Sequence, residues 1–481
     1  MESRAAGSVD LVVRAGEEVT LGVPELDKLL RDSIAPGLLL VVAGHPGSGK
    51  TTFASTICYS NAVRGKKCLY VSFQEHRDKL YANMKKLGLG LEGLEKQGLL
   101  VFMKLPLMVR ADSIDHVLSV LSDSVAKHAP GVVVVDSITP LLKAAEGGLE
   151  ARALVQNFFA ELPRLTGGVV VLLAEMPMDS KTVELGDLEF VADVILVLKY
   201  RVENGLMARY LEIRKARGSP ISVAEMPFSI VEGKGILVYE PIVIEEIPAM
   251  RKGVIELPCR ALRDVIGAIR RGEVVYVTYP PDARPTVIFP FLLAVAAENA
   301  AKVLFISYKS SPEDIKLHTE NKLVELGVNS DAARKLIERF FAFRSLNATS
   351  FSPTQLNLLE LKIVAEHKPD VVVFHGVDVP AAILDVHSWR INTLNQLLYL
   401  KKMGAVVIRM GSYDDKYNYN ASLADIVVKL AVREVETGRE KSTKYEAYIW
   451  RRGANKPTVV GEQALRECTE EIREVIGKTL L

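Results

Sequence analysis

Several segments of this 481-residue chain recur, in order, at a nearly constant spacing. Gly37-Leu38-Leu39-Leu40-Val41-Val42-Ala43 returns 235 residues later as Gly272-Glu273-Val274-Val275-Tyr276-Val277-Thr278, and Lys67 to Phe73 returns at the same shift as Lys302 to Tyr308. Ala126 to Val134 matches Ala365 to Val373, and Val191-Ala192-Asp193 matches Leu423-Ala424-Asp425. Ordered matches of this kind point to two copies of one fold. The repeated pieces are short apolar runs, such as Val132-Val133-Val134-Val135, separated by stretches of helical periodicity, such as Asp112 to His128. That alternation predicts an α/β fold, each copy a mostly parallel twisted sheet flanked by helices. Pro241 to Gly253, with two prolines and mixed charge, reads as the connector, which divides the chain into 1–244 and 245–481.

The first copy carries Gly44-His45-Pro46-Gly47-Ser48-Gly49-Lys50-Thr51, followed by Thr52, between an apolar strand pattern and a helical one. This is the spacing of a phosphate loop in its required strand, loop, helix context. Gly47 and Gly49 let the backbone wrap inward so that N–H groups face an anion. Lys50 supplies a charge to the outer phosphates, and Thr51 can ligate Mg²⁺. Downstream, the run of four valines ends in Asp136, the pattern of the second metal-holding carboxylate. Lys67 to Phe73 reads as a buried strand ending at Gln74-Glu75, and open α/β sheets place their chemistry at such strand ends. Tyr210 to Pro220 reads as a strand closed by a turn, with Lys215 and Arg217 projecting together from one face. That pair is also what an ordinary solvated edge strand presents.

In the second copy the positions of Gly44, Gly47, Gly49 and Lys50 hold Tyr279, Asp282, Arg284 and Pro285. Proline brings neither charge nor N–H. An aspartate aimed into the cradle would add a like charge that costs on the order of 4 kcal/mol at about 4 Å with an effective dielectric near 20. Glu75 faces Ser310 and Asp136 faces His375. The second copy is therefore expected to hold no nucleotide at this position, and His375, without companions at metal-ligand spacing, to be an ordinary strand-end histidine.

With a formal net charge of +1, the chain lacks the basic bias of a dedicated nucleic-acid binder. Cys58, Cys68, Cys259 and Cys468 are scattered without a CxxC pair, which argues against zinc and against a disulfide framework. Cys58 and Cys68 fall in apolar patterns and read as buried thiols. Met1 to Asp10 lacks a signal-peptide core and no apolar run is long enough to span a membrane, so a cytoplasmic location is expected. Residues 461 to 480 carry one apolar stripe, expected to pack as a C-terminal amphipathic helix.

These motifs, together with Gly22-Val23-Pro24-Glu25-Leu26-Asp27, Ser72-Phe73-Gln74-Glu75 and Leu211 to Gly218 with Pro227-Phe228, resemble the KaiC-type ATPases of the RecA superfamily. The resemblance covers nearly the whole chain, the second half as a worn copy. It implies two tandem RecA-like domains, ATP and Mg²⁺ as cofactors, and a homo-oligomeric, commonly six-membered ring with nucleotide between neighbouring first domains. It implies Glu75 as the base that activates water, with Gln74 standing where the family has a second acid. Lys215-Ala216-Arg217 matches a pair that the family extends to the neighbour's γ-phosphate. The corresponding second-copy residues are Trp450 and Arg452, and Ser422, near the family's phosphorylation site, is expected to stay unmodified. The second domain is then left for regulation or for a protein partner. Two other readings are a recombinase-like DNA-binding ATPase, disfavoured by the acidic stretch Glu175 to Glu189 with Asp179, Glu184 and Asp187, and a nucleotide sensor that does not hydrolyse.

Overall fold

The computed structural model describes residues 19–106, 114–145, 149–177, 188–203, 205–280, 288–413, 417–437 and 440–480. Met1 to Asp10, Asp179, Glu184, Asp187, Asp282, Arg284 and Pro285 therefore lie outside the described residues. The chain divides into a unit ending at Glu240 and a second beginning at Pro241.

The first unit is built on a nine-stranded sheet of β1 (Leu38–Gly44), β2 (Cys68–Ser72), β3 (Leu100–Lys104), β4 (Val132–Asp136), β5 (Val169–Glu175), β6 (Val194–Glu203), β7 (Leu206–Ala216), β8 (Glu225–Val231) and β9 (Gly235–Val238). Their order across the sheet is β3-β2-β4-β5-β1-β6-β7-β8-β9, parallel as far as β6 and antiparallel beyond it. Every residue of β1 is buried, because helices cover both faces. Side chains alternate accordingly: Leu38, Leu40 and Val42 join one apolar cluster, and Leu39, Val41 and Ala43 join the other. Register brings the chemical ends together, since Gly44 pairs with Glu175 and Ser72 with Asp136.

The second unit opens with a short hairpin of β10 (Val254–Ile255) and β11 (Ile269–Arg270), followed by β12 (Val274–Tyr279), β13 (Val303–Ser307), β14 (Phe341–Ser345), β15 (Val371–His375), β16 (Val406–Ser412), β17 (Ile426–Thr437), β18 (Glu440–Arg451) and β19 (Thr458–Val460). The main sheet runs β14-β13-β15-β16-β12-β17-β18-β19, the order of the first unit without its last strand. The two units are tandem α/β domains of one topology. Among the described residues, no helix is long and apolar enough to cross a membrane.

Three details depart from the sequence reading. Val191 closes the short helix Leu188–Val191, and β6 starts only at Val194. Asp193, in between, accepts the Leu39 N–H at 3.0 Å, and Asp425 accepts the Val274 N–H at the same distance, so the repeated Ala-Asp is a clasp on the central strand rather than part of a strand. The C-terminal helix Glu462–Leu480 packs as expected, burying Cys468, Ile472 and Ile476, but it also brings Cys468 against Cys259. Their Cα atoms are 4.9 Å apart and the two are disulfide-bonded, against the expectation drawn from spacing. A separation of 209 residues leaves no local pattern, and only the return of the last helix creates the contact. Cys58 and Cys68 are buried free thiols.

Closing so long a loop constrains the unfolded chain, so Cys468→Ser should lower the stability of the second unit by about 2–4 kcal/mol. Both tryptophans, Trp389 and Trp450, belong to that unit, so their fluorescence during urea unfolding without reductant reads it. Coincident midpoints for the two proteins would show that the thiols are free.

Candidate active site

The phosphate loop leaves β1 and enters the helix Lys50–Ala62 through Gly47 and Gly49, both left-handed, at φ +77° and +109°. A side chain at Gly44 would put its Cβ 2.3 Å from the Leu198 carbonyl oxygen and 2.7 Å from Ser48 Oγ. The N–H groups of Gly47, Gly49, Lys50 and Thr51 have no hydrogen-bond acceptor among the described residues, and His45 Nδ1 and Ser48 Oγ are buried without a partner. A concave set of unpaired donors at a helix N-terminus fits a phosphate group.

Lys50 Nζ donates to the carbonyls of Gly44 at 2.8 Å and His45 at 3.0 Å. Burial lowers its pKa, opposed by the carboxylates of Glu175 and Asp136. The Thr51 hydroxyl donates to Asp136 Oδ2 at 2.9 Å, and the Tyr70 hydroxyl donates to the same oxygen at 2.9 Å. Burial raises the Asp136 pKa against those two hydrogen bonds. Thr51 and Asp136, an oxygen pair at the loop, fit a divalent cation of the hard, oxygen-seeking kind.

Glu75 follows β2 and is held by its backbone: its N–H donates to Ser72 Oγ at 3.0 Å, and that hydroxyl donates back to its carbonyl at 3.1 Å. Its carboxylate lies 3.5 Å from Lys79 Nζ. Gln74 donates to Glu175 Oε1 at 2.8 Å, while the Glu175 N–H donates to Thr139 Oγ1 at 2.8 Å. Tyr70, Thr139 and Glu175 were not among the residues singled out from sequence. Glu175 had a visible signal, since it ends an apolar run as Asp136 does.

Lys215 and Arg217 are not in this cluster. Lys215 pairs with Ile195, and Ile195 with Val41, three residues before Gly44 and two strands away. At about 3.3 Å per residue the pair sits some 10 Å back along the sheet. Lys215 Nζ donates to the carbonyls of Glu189 at 2.7 Å and Phe190 at 3.1 Å; Arg217 also donates to Phe190 O and lies 3.5 Å from Asp193. Both cations therefore face away from their own phosphate loop.

A family model described as the KaiC ATPase matches residues 19–243, which span the loop, Glu75, Asp136 and the Lys215-Ala216-Arg217 strand. The first half of this chain is a KaiC-like P-loop ATPase domain of the RecA superfamily. Its relatives include the circadian clock protein KaiC3 of Synechocystis, 25% identical over 230 residues, and the circadian clock oscillator protein KaiC of Thermostichus vulcanus, 26% identical over 216 residues. Those alignments take in 46% and 44% of this chain and 45% and 41% of the two relatives, so the match spans less than half the length of either protein. A UPF0273 protein of Thermotoga maritima is 25% identical over 239 residues, 46% of this chain and 96% of that protein.

In the second unit, the strand ends that make the KaiC-like site are joined by other bonds. Ser307 Oγ lies 3.0 Å from His375 Nδ1, where the first unit has Ser72 beside Asp136. Lys309 Nζ lies 2.5 Å from Asp378 Oδ2, and Asp378 accepts the Ser412 hydroxyl at 2.8 Å. The Gln74, Glu175 and Thr139 positions have thus become Lys309, Ser412 and Asp378, with the acid moved to another strand end.

Because a methyl at Gly44 would collide with the backbone of β6, Gly44→Ala should destabilise the first unit by about 1–3 kcal/mol and weaken ATP binding. Thermal unfolding monitored by circular dichroism, paired with a fluorescent-nucleotide titration, measures both.

Proposed function

We propose that the first unit binds ATP with Mg²⁺ and hydrolyses it in a ring of subunits, one subunit's Lys215 and Arg217 completing the next subunit's site. The observation that carries this reading is the position of that pair, which points away from its own loop and is therefore available only to a neighbour. Thr51 and Asp136 would hold the Mg²⁺, which neutralises phosphate charge when bound. Lys50 would exchange the Gly44 and His45 carbonyls for phosphate oxygens, and the loop N–H groups from Gly44 to Thr52 would orient the chain of phosphates. Glu75, anchored through Ser72, would take the proton of the attacking water. Arg217 would stabilise the charge that develops on the transferred group, a contribution of about 10³-fold or more for arginines in this role. The second unit, with its site rebuilt, would serve regulation or partner binding.

Lys50→Ala should abolish turnover, and Glu75→Gln should slow it by about 10²-fold or more while nucleotide still binds, read as steady-state phosphate release beside an ATP-binding assay. The division of labour is tested by mixing. Lys50→Ala and Arg217→Ala, each inactive alone, should recover part of the activity when co-assembled, because some interfaces then pair an intact loop with an intact arginine. No recovery from mixed assemblies verified by native mass measurement would rule out a site shared between subunits.

A further inference from the structure

The two sheets share a topology, but one layer of the second unit has changed in kind. Aligning the strands and the helices that lead into them places Tyr308 at the position of Phe73, Glu360 at Leu121, Gln396 at Phe159 and Arg409 at Leu172. In the first unit these four are buried members of one apolar cluster, between 0% and 3% exposed. In the second, Glu360, Gln396 and Arg409 are equally hidden, at 4%, 3% and 3%. The Tyr308 hydroxyl donates to Glu360 Oε1 at 2.5 Å, and the Gln396 amide donates to Oε2. Arg409 donates to Asn420 Oδ1 at 3.1 Å and lies over the Trp389 ring, but its Nε has no partner. Among the described residues, no ion pair within 4.0 Å joins Glu360 to Arg409. Between them lies a cavity of about 330 Å³, lined also by Asn357 and Trp389 and partly open to solvent.

Replacing apolar contacts by two buried charges that do not touch is unfavourable for folding, and the space between the charges is at the small end of ligand pockets. A carboxylate at one wall and an unsatisfied guanidinium at the other leave the site neutral in sum while offering opposite charges to whatever enters. We propose that this cavity is a binding site for a small zwitterion of the amino-acid class, its carboxylate on Arg409 and its ammonium group on Glu360. Trp389 supplies the apolar wall, which leaves room for a short side chain only. This site rests on residues of the second unit alone and stands whether or not the first unit hydrolyses ATP.

Trp389 is one of only two tryptophans, so full-length Trp450→Phe protein reports on the cavity directly. Titration with glycine, L-alanine and L-serine should give a saturable change in its emission with millimolar midpoints, with acetate and methylamine at least tenfold weaker. Arg409→Leu alone strands Glu360 and is liable to unfold, so the deciding variant restores the first unit's residues together: Tyr308→Phe, Glu360→Leu, Gln396→Phe and Arg409→Leu. It should unfold in urea at an equal or higher midpoint, read by circular dichroism, and lose the response. A flat titration with all three amino acids would overturn the proposal, as would acetate matching glycine or the fourfold variant keeping the response.

Discussion

One oxygen of Asp136 accepts two hydroxyls, from Thr51 in the first turn of the phosphate-loop helix and from Tyr70 in the interior of β2. The three residues come from three separate segments, and they meet only because β2 and β4 are parallel neighbours ending at the same edge as β1. The arrangement requires a sheet covered on both faces, since a buried carboxylate with two donors persists only where water is kept out. Core packing and site geometry are therefore one constraint in the first unit.

The second unit satisfies the packing half of that constraint and drops the chemistry. His375 and Ser307 occupy the Asp136 and Ser72 positions, and Lys309 with Asp378 closes the crevice with a charge pair of its own. Strand order is unchanged. Losing a catalytic edge while keeping a sheet is physically easy, because the sheet depends on alternating apolar residues behind that edge. The polar layer of Glu360 and Arg409 goes further, since it alters the alternation itself.

The architecture was legible in sequence because strands buried on both faces read as unbroken apolar runs and because the glycines and lysine of the loop are adjacent in the chain. Thr51 and Asp136 could be assigned to one site through a motif. Tyr70 could not, since a tyrosine in an apolar run looks like core, and the destination of its hydroxyl depends on cross-strand register. Arg409 shows in sequence as a lone charge in Val406-Val407-Ile408-Arg409-Met410, but Glu360 lies on a distant helix with no spacing to link them. The Cys259–Cys468 bond was hidden for the same reason, and Asp193 disclosed its role only when its carboxylate met the Leu39 N–H. Local patterns reveal elements, whereas partners brought together by the last step of packing leave no trace along the chain.

That cross-link has a mechanical consequence. Cys259 stands near the start of the second unit and Cys468 near its end, with 209 residues between them. Tension applied through the two ends of this unit passes from one cysteine to the other across a covalent bond and bypasses the sheet. In its oxidised form the second unit can thus transmit a pull without extending, much as a ring does in a chain of links.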